Sequence, residues 1–125
     1  MNVPTDLLYT SDHEWVSVVG NVATIGITDF AQEELGDIVF VEFPELNSTV
    51  EKGQSAGSIE AVKTVADLYM PITGTVIEVN ENLDNNPEAV NDTPYGDGWM
   101  VKIEIANQDE ISDLLTATAY DDLIS

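Results

Sequence analysis

The residue best suited to an unusual chemical role in this sequence is a lysine, Lys63. The glycines Gly53 and Gly74 lie at equal distances on either side of a centre between Lys63 and Thr64, and segments 58–62 and 64–68 could pair as hairpin arms about that centre. A modifying enzyme needs a reachable amine on a rigid, protruding turn, because such presentation limits the ordering cost of binding. The pattern predicts that Lys63 stands at a hairpin tip, either as a covalent attachment site or as an ordinary exposed lysine.

The absence of cysteine narrows the chemistry that the chain can do by itself. Disulfides, Cys metal sites and thiol nucleophiles are excluded. If the protein takes part in sulfur redox chemistry, the sulfur must come with a cofactor. We find no Ser, Cys or His nucleophile motif and predict no catalytic residue and no metal site. A small acidic hydrolase remains an alternative, because 24 carboxylates offer many acid–base pairs.

The charge balance is strongly acidic, with 24 Asp and Glu against three Lys and Arg and a formal net charge of −21. Such a surface repels nucleic acid and anionic membranes, so neither is an expected partner. A basic protein surface would be attracted. The acidity therefore serves either solubility or the steering of basic partners.

Residues of alternating polarity indicate a mainly β fold. Residues 15–19, 22–27 and 38–43 read as strands, and Val101, Ile103 and Ile105 share one strand face with Trp99. The pair Gly20-Asn21 predicts a two-residue hairpin turn. Many short strands separated by turn residues predict two packed sheets, as a β-sandwich or barrel.

Two short helices are predicted beside the strands. Asp29 and Gln32 resemble a capping box for a helix near residues 29–35, which Gly36 would end. Asn107 and Glu110 would cap a C-terminal helix near residues 108–119.

The length of 125 residues fits a single domain over residues 1–125. The sequence has no apolar run near the roughly 20 residues that span a bilayer. Its first residues lack the basic and apolar regions of a secretory signal. We therefore expect a cytoplasmic protein.

Segment 57–74 resembles the lipoyl-attachment segment of glycine cleavage system H proteins. In that family a Glu lies three residues before the lysine and a Gly eleven after it, and Glu60 and Gly74 match. The His13-Glu14-Trp15 segment and the Pro-Tyr-x-x-Gly-Trp segment at residues 94–99 are also similar to the family, and the resemblance spans roughly residues 7–122. The chain departs from the family at Ala61, where Ser is usual.

The resemblance implies a barrel-sandwich hybrid of two antiparallel sheets and a non-catalytic carrier with lipoic acid in amide linkage to Lys63. Glu60 and Gly74 would be recognised by the lipoate ligase or by a lipoyl/octanoyl transferase. The lipoyl arm would take the aminomethyl group of glycine from the pyridoxal-phosphate-dependent glycine decarboxylase (P protein) to the tetrahydrofolate-dependent aminomethyltransferase (T protein). Dihydrolipoamide dehydrogenase (L protein) would reoxidise the arm. Glu14 and Asp67 would line a groove for the loaded arm, and the protein is expected to be a monomer.

Two other carrier functions remain open at this point. The same scaffold could relay lipoyl groups to other lipoate-dependent enzymes. A biotin carrier is the less favoured alternative, because biotinyl lysines usually have Met on both sides, whereas Val62 and Thr64 flank Lys63.

Overall fold

The computed structural model describes residues 2–125, and two antiparallel sheets enclose its core. A six-stranded sheet has the order β1-β2-β3-β9-β8-β5, and a three-stranded sheet has the order β4-β6-β7. The expected mainly β architecture of two antiparallel sheets is therefore confirmed. The strands are β1 (Leu8–Tyr9), β2 (Glu14–Val19), β3 (Val22–Ile27), β4 (Ile38–Glu42), β5 (Thr49–Val50), β6 (Ser55–Ala61), β7 (Val65–Tyr69), β8 (Gly74–Val79) and β9 (Val101–Ile105).

The alternation of apolar and polar residues matches the burial of side chains along the strands, as the sequence predicted. In β9 the side chains of Val101, Ile103 and Ile105 are buried, whereas Glu104 between them is exposed. Trp99 precedes the strand and is only partly buried. The apolar faces of both sheets meet in one cluster, and this burial is the main stabilising contribution to the fold.

The β2–β3 hairpin closes with the two-residue turn that the sequence predicted. Val19 pairs with Val22, and Gly20 has a φ of 60°. A left-handed φ at this position suits glycine, which has no Cβ to clash with the backbone.

Helix α1 (Asp29–Leu35) has the predicted bounds, but its N-cap is Thr28 and not Asp29. The Thr28 hydroxyl accepts a hydrogen bond from the Ala31 amide at 3.2 Å. Asp29 is instead the first helical residue and accepts a hydrogen bond from the Gln32 side chain at 2.8 Å. Gly36 ends the helix with a φ of 80°, as the sequence predicted.

The prediction of one C-terminal helix near residues 108–119 is wrong. A 3-10 helix covers Gln108–Asp113, and α4 begins only at Ala117 and runs to Ile124. Leu115 between them forms a β-bridge with Tyr9, with N···O distances of 2.9 and 2.7 Å. Backbone groups that pair with β1 cannot also continue a helix, and Thr116 caps the new helix through the Ala119 amide at 3.2 Å.

Two further short helices, α2 (Asn82–Asn85) and α3 (Ala89–Asp92), connect β8 to β9 and were not predicted. Asn91 ties this connection to α1, because its side-chain amide donates to the Gly36 carbonyl at 2.8 Å. Among residues 2–125, no helix is long and apolar enough to cross a membrane.

Candidate functional site

Lys63 lies in the turn between β6 and β7, at the tip of the predicted hairpin. Glu60 pairs with Val65 and Ile59 pairs with Ala66, so the hairpin is centred between Val62 and Lys63. The sequence placed that centre one residue later, between Lys63 and Thr64, and this register was wrong. The symmetry of Gly53 and Gly74 misled the prediction, because Gly74 belongs to the other sheet.

Backbone hydrogen bonds hold the tip on the body of the protein. The Ala61 amide donates to the Thr64 carbonyl at 2.8 Å and closes the turn. The Val62 amide donates to the Asp37 carbonyl at 3.1 Å, so the turn is anchored to the segment that follows α1. The Lys63 side chain passes Gly36, where a Cβ would lie 3.4 Å from the lysine Cε. The hairpin therefore presents its lysine from a fixed base.

The three lysines differ in their surroundings. Lys52 forms an ion pair with Asp113 at 2.8 Å, and the Lys102 amine lies 5.1 Å from the centre of the Trp99 ring. Lys63 is exposed, and its amine forms no ion pair within residues 2–125. It is thus the amine most available to a modifying enzyme.

A groove of about 390 Å³ lies between the hairpin and α1. It reaches Leu35, the residue before the glycine that the Lys63 side chain passes. Apolar side chains form much of its wall, and Glu14 and Asp67, the two acids predicted from the sequence, both line it. The apolar lining consists of Ile27, Phe30, Ala31, Leu35, Ile59 and Ala66.

Glu14 is buried, with 2% of its surface exposed, and it links the two sheets. Its carboxylate accepts hydrogen bonds from the Thr10 hydroxyl at 2.7 Å and from the Tyr69 amide of β7 at 3.2 Å. Burial raises the pKa of Glu14 to about 7, with a smaller contribution from Asp12, while the two hydrogen bonds oppose the shift. Glu14 is therefore a buried acid and differs from the solvated carboxylates that make up most of the acids of this chain.

Asp67 differs from Glu14 because its side chain is exposed at the rim of the groove. It accepts a hydrogen bond from the Tyr69 hydroxyl at 3.3 Å. Of the acids that line the groove, Glu14 thus lies in a low-dielectric position, whereas water screens Asp67.

His13 lines the same groove, which the sequence did not reveal. Its Nδ1 lies 2.9 Å from the Tyr120 hydroxyl, and its ring lies 4.7 Å from that of Phe30. The Tyr120 hydroxyl also lies 2.7 Å from that of Thr28, so α4 supports the groove wall. The histidine has a φ of 67°, a strained value for a residue with a Cβ. A contact between residues so distant in sequence leaves no local signal.

The two residues expected to guide the lipoyl-attaching enzyme lie in different places. Glu60 is exposed on β6 close to Lys63. Gly74 is buried in β8, where a Cβ would clash with the carbonyl oxygen of Glu104. Strand packing is a sufficient reason for glycine at this position, and its recognition by the enzyme stays a prediction.

Two antiparallel sheets with an exposed lysine at a hairpin tip beside a groove are typical of swinging-arm carriers, proteins that hold a cofactor on a lysine side chain. The family model described as Glycine cleavage H-protein matches residues 7–125. The chain belongs to this family, whose members are the lipoyl carriers of the glycine cleavage system.

Individual relatives agree with the family assignment. A glycine cleavage system H protein of Staphylococcus haemolyticus (strain JCSC1435) is 52% identical over 124 residues, which are 99% of this chain and 98% of the relative. The crystal structure of a glycine cleavage system H protein from Mycobacterium marinum superposes with a TM-score of 0.89 at 38% identity. That match covers 96% of this chain and 97% of the other.

Proposed function

We propose that Lys63 carries the lipoyl group and that its arm transfers the aminomethyl unit of glycine between the enzymes of the glycine cleavage system. The observation that carries this proposal is the position of Lys63, exposed at an anchored hairpin tip with no ion pair among the described residues. Family membership supplies the cofactor class, since an amide between the lysine amine and lipoic acid needs an accessible amine.

The described residues fit a lipoyl group in two respects. The hairpin is uncrowded at its tip, and the adjacent groove offers an apolar wall that suits a hydrocarbon chain. The lipoyl group supplies the two sulfurs that this cysteine-free chain lacks. The protein itself presents and shelters the arm, which is a contribution of proximity.

We further propose that Glu14 and Asp67 hold the cationic amine of a loaded arm in the groove. Charge-assisted hydrogen bonds to carboxylates are stronger than neutral ones, and Glu14 lies where water is largely excluded. A bound cation favours the ionised form of Glu14 and lowers its pKa from about 7. Shelter of this kind slows the loss of a labile group to water.

The expected partners are the glycine decarboxylase, the aminomethyltransferase, dihydrolipoamide dehydrogenase and a lipoyl-attaching enzyme. The chain catalyses none of these steps and acts as a monomer in the proposal. Support comes from the family and from the acidic surface, which attracts basic protein surfaces.

The attachment site can be tested by peptide mass after expression with lipoate and a lipoate ligase. Trypsin cuts after lysine, so acylation of Lys63 should join peptides 53–63 and 64–102 into one heavier peptide. Lys63→Arg should abolish both the added mass and carrier activity in a reconstituted glycine cleavage assay, whereas Lys52→Arg should keep both. Full carrier activity of Lys63→Arg would overturn the assignment.

A further inference from the structure

The outer face of the three-stranded sheet carries exposed apolar side chains beside Lys63. The β-ladder aligns Phe40, Glu60 and Val65 in one row across β4, β6 and β7, and all three point to solvent. Phe40 is 47% exposed and Val65 is 60% exposed, while Val62 in the turn is 76% exposed. Apolar residues that cluster on an exposed surface are typical of interaction sites, whereas single exposed ones are ordinary.

Acidic side chains surround these apolar residues. Asp37 lies just before β4. Glu42 and Asp67 lie in the next outward-facing row of the sheet, and all three acids are exposed. The other two lysines of the chain are engaged with Asp113 and with Trp99. The face therefore has Glu60 between its apolar side chains and further acids at its rim, a pattern that complements a partner surface with apolar contacts and with Lys and Arg side chains.

The row of Phe40, Glu60 and Val65 lies so close to Lys63 that an enzyme acting on the lysine must contact it. The Glu60–Val65 pair is the last β6–β7 pair before the turn that holds Lys63. Before any arm is attached, the reactive amine extends only one side chain beyond this turn. An enzyme that acylates the amine must bring its active site onto the turn and so cover the adjacent surface.

We propose that the face formed by Phe40, Glu60, Val62 and Val65 is the docking surface for the enzyme that acylates Lys63. The proposal rests on Lys63 being the lipoylated residue and adds the surface that the enzyme reads. Its partner surface has apolar side chains that cover Phe40 and Val65, and basic side chains opposite Glu60 and the acids of the rim. A second copy of this chain fits poorly, because acids would face acids across the contact.

The test measures kcat/KM for lipoylation of apo protein by a lipoate ligase with ATP and lipoate. Phe40→Ala and Val65→Thr should each lower kcat/KM about tenfold, the loss typical of a central interface side chain. Val19→Ala is the matched control, because Val19 is 76% exposed but lies on β2 of the other sheet. It should keep the wild-type value.

The charged rim is tested with Glu42→Gln against Glu104→Gln, an exposed acid on β9. Glu42→Gln should lower kcat/KM at low salt and reduce its dependence on salt, while Glu104→Gln should change neither. Lys63→Arg lacks the amine that the ligase acylates, but it should still bind the ligase and inhibit lipoylation of wild-type protein. The double variant Lys63→Arg with Phe40→Ala should no longer inhibit. This second measurement reports docking without chemistry.

Equal kcat/KM for Phe40→Ala, Val65→Thr and Val19→Ala, with equal competition, would overturn the docking surface. A concentration-dependent dimer that Phe40→Ala dissolves in sedimentation would also overturn it and assign the face to a second copy. Failure of the underlying function gives a different result, in which wild type acquires no lipoyl group on Lys63. Urea unfolding midpoints equal to wild type confirm that the exposed substitutions leave the fold intact.

Discussion

Replacing the buried carboxyl group of Glu14 by an amide should remove a large part of the pH dependence of stability near neutrality. Glu14 has an ordinary pKa of 4.5 when solvated and a pKa of about 7 in the folded protein, chiefly because burial disfavours its charge. The folded state therefore holds this proton more tightly than the unfolded state. Its stability is highest when the group is protonated and falls as the pH rises from 4.5 through 7.

The size of the effect follows from the two pKa values. A tenfold difference in acidity corresponds to about 1.4 kcal/mol, so the full shift amounts to about 3 kcal/mol. Between pH 5.5 and pH 8.5 the contribution of Glu14 to the free energy of unfolding falls by about 2 kcal/mol. This is a large fraction of the roughly 5–15 kcal/mol that stabilises a typical domain.

Urea unfolding of wild type and Glu14→Gln at several pH values between 5.5 and 8.5 measures the effect. The free energy of unfolding of the variant, relative to wild type, should rise by about 2 kcal/mol across this range. The amide has one acceptor oxygen and cannot accept from both Thr10 and Tyr69 as the ionised carboxylate does. Because the amide does not titrate, its own hydrogen bonds do not change with pH and do not add to the trend. Asp12 and His13 lie beside Glu14 in both proteins, so the comparison isolates the effect of the Glu14 side chain.

Glu104→Gln, at an exposed site, is the control and should show no such trend. A difference between wild type and Glu14→Gln that stays constant within about 0.5 kcal/mol over the range would refute the argument that burial perturbs Glu14.

Two further substitutions test the framework around the site. Gly74→Ala should lower the free energy of unfolding by about 1–3 kcal/mol, because its Cβ would meet the Glu104 carbonyl. A variant as stable as wild type would contradict this packing argument. If variant molecules that are folded by circular dichroism are lipoylated more slowly, the enzyme also recognises Gly74. Thr28→Val should cost about 1–2 kcal/mol in urea unfolding, since it removes the α1 cap and a partner of the buried Tyr120 hydroxyl. Thr116→Val removes an exposed helix cap and should lower the free energy of unfolding by less than Thr28→Val does. Equal losses in the two variants would show that the contact between Thr28 and Tyr120 adds no stability.

The sequence was informative wherever a short segment contains its own structural signal. The alternation in β9 fixes which side chains face the core, and Gly20 and Gly36 mark a turn and a helix end through their left-handed backbone. The hairpin around Lys63 was recognisable from its flanking segments, and resemblance to a family supplied the expectation of a lipoyl cofactor.

Tertiary structure decided the features that depend on residues far apart in the chain. Leu115 leaves the helical pattern because its backbone pairs with Tyr9 of β1, and no local periodicity records that partner. The hairpin register differed by one residue because the strand ladder, and not the spacing of two glycines, sets it.

Glu14 shows most clearly which properties follow from the sequence and which follow only from tertiary structure. Its residue type and neighbours in the sequence describe an acid, and acids are usually solvated. Its burial, its bond to the Tyr69 amide on the other sheet and its raised pKa arise only when the two sheets pack together. The sequence by itself determined which groups this protein possesses, whereas the packing of the sheets decided the dielectric surroundings and the partners that set their chemistry.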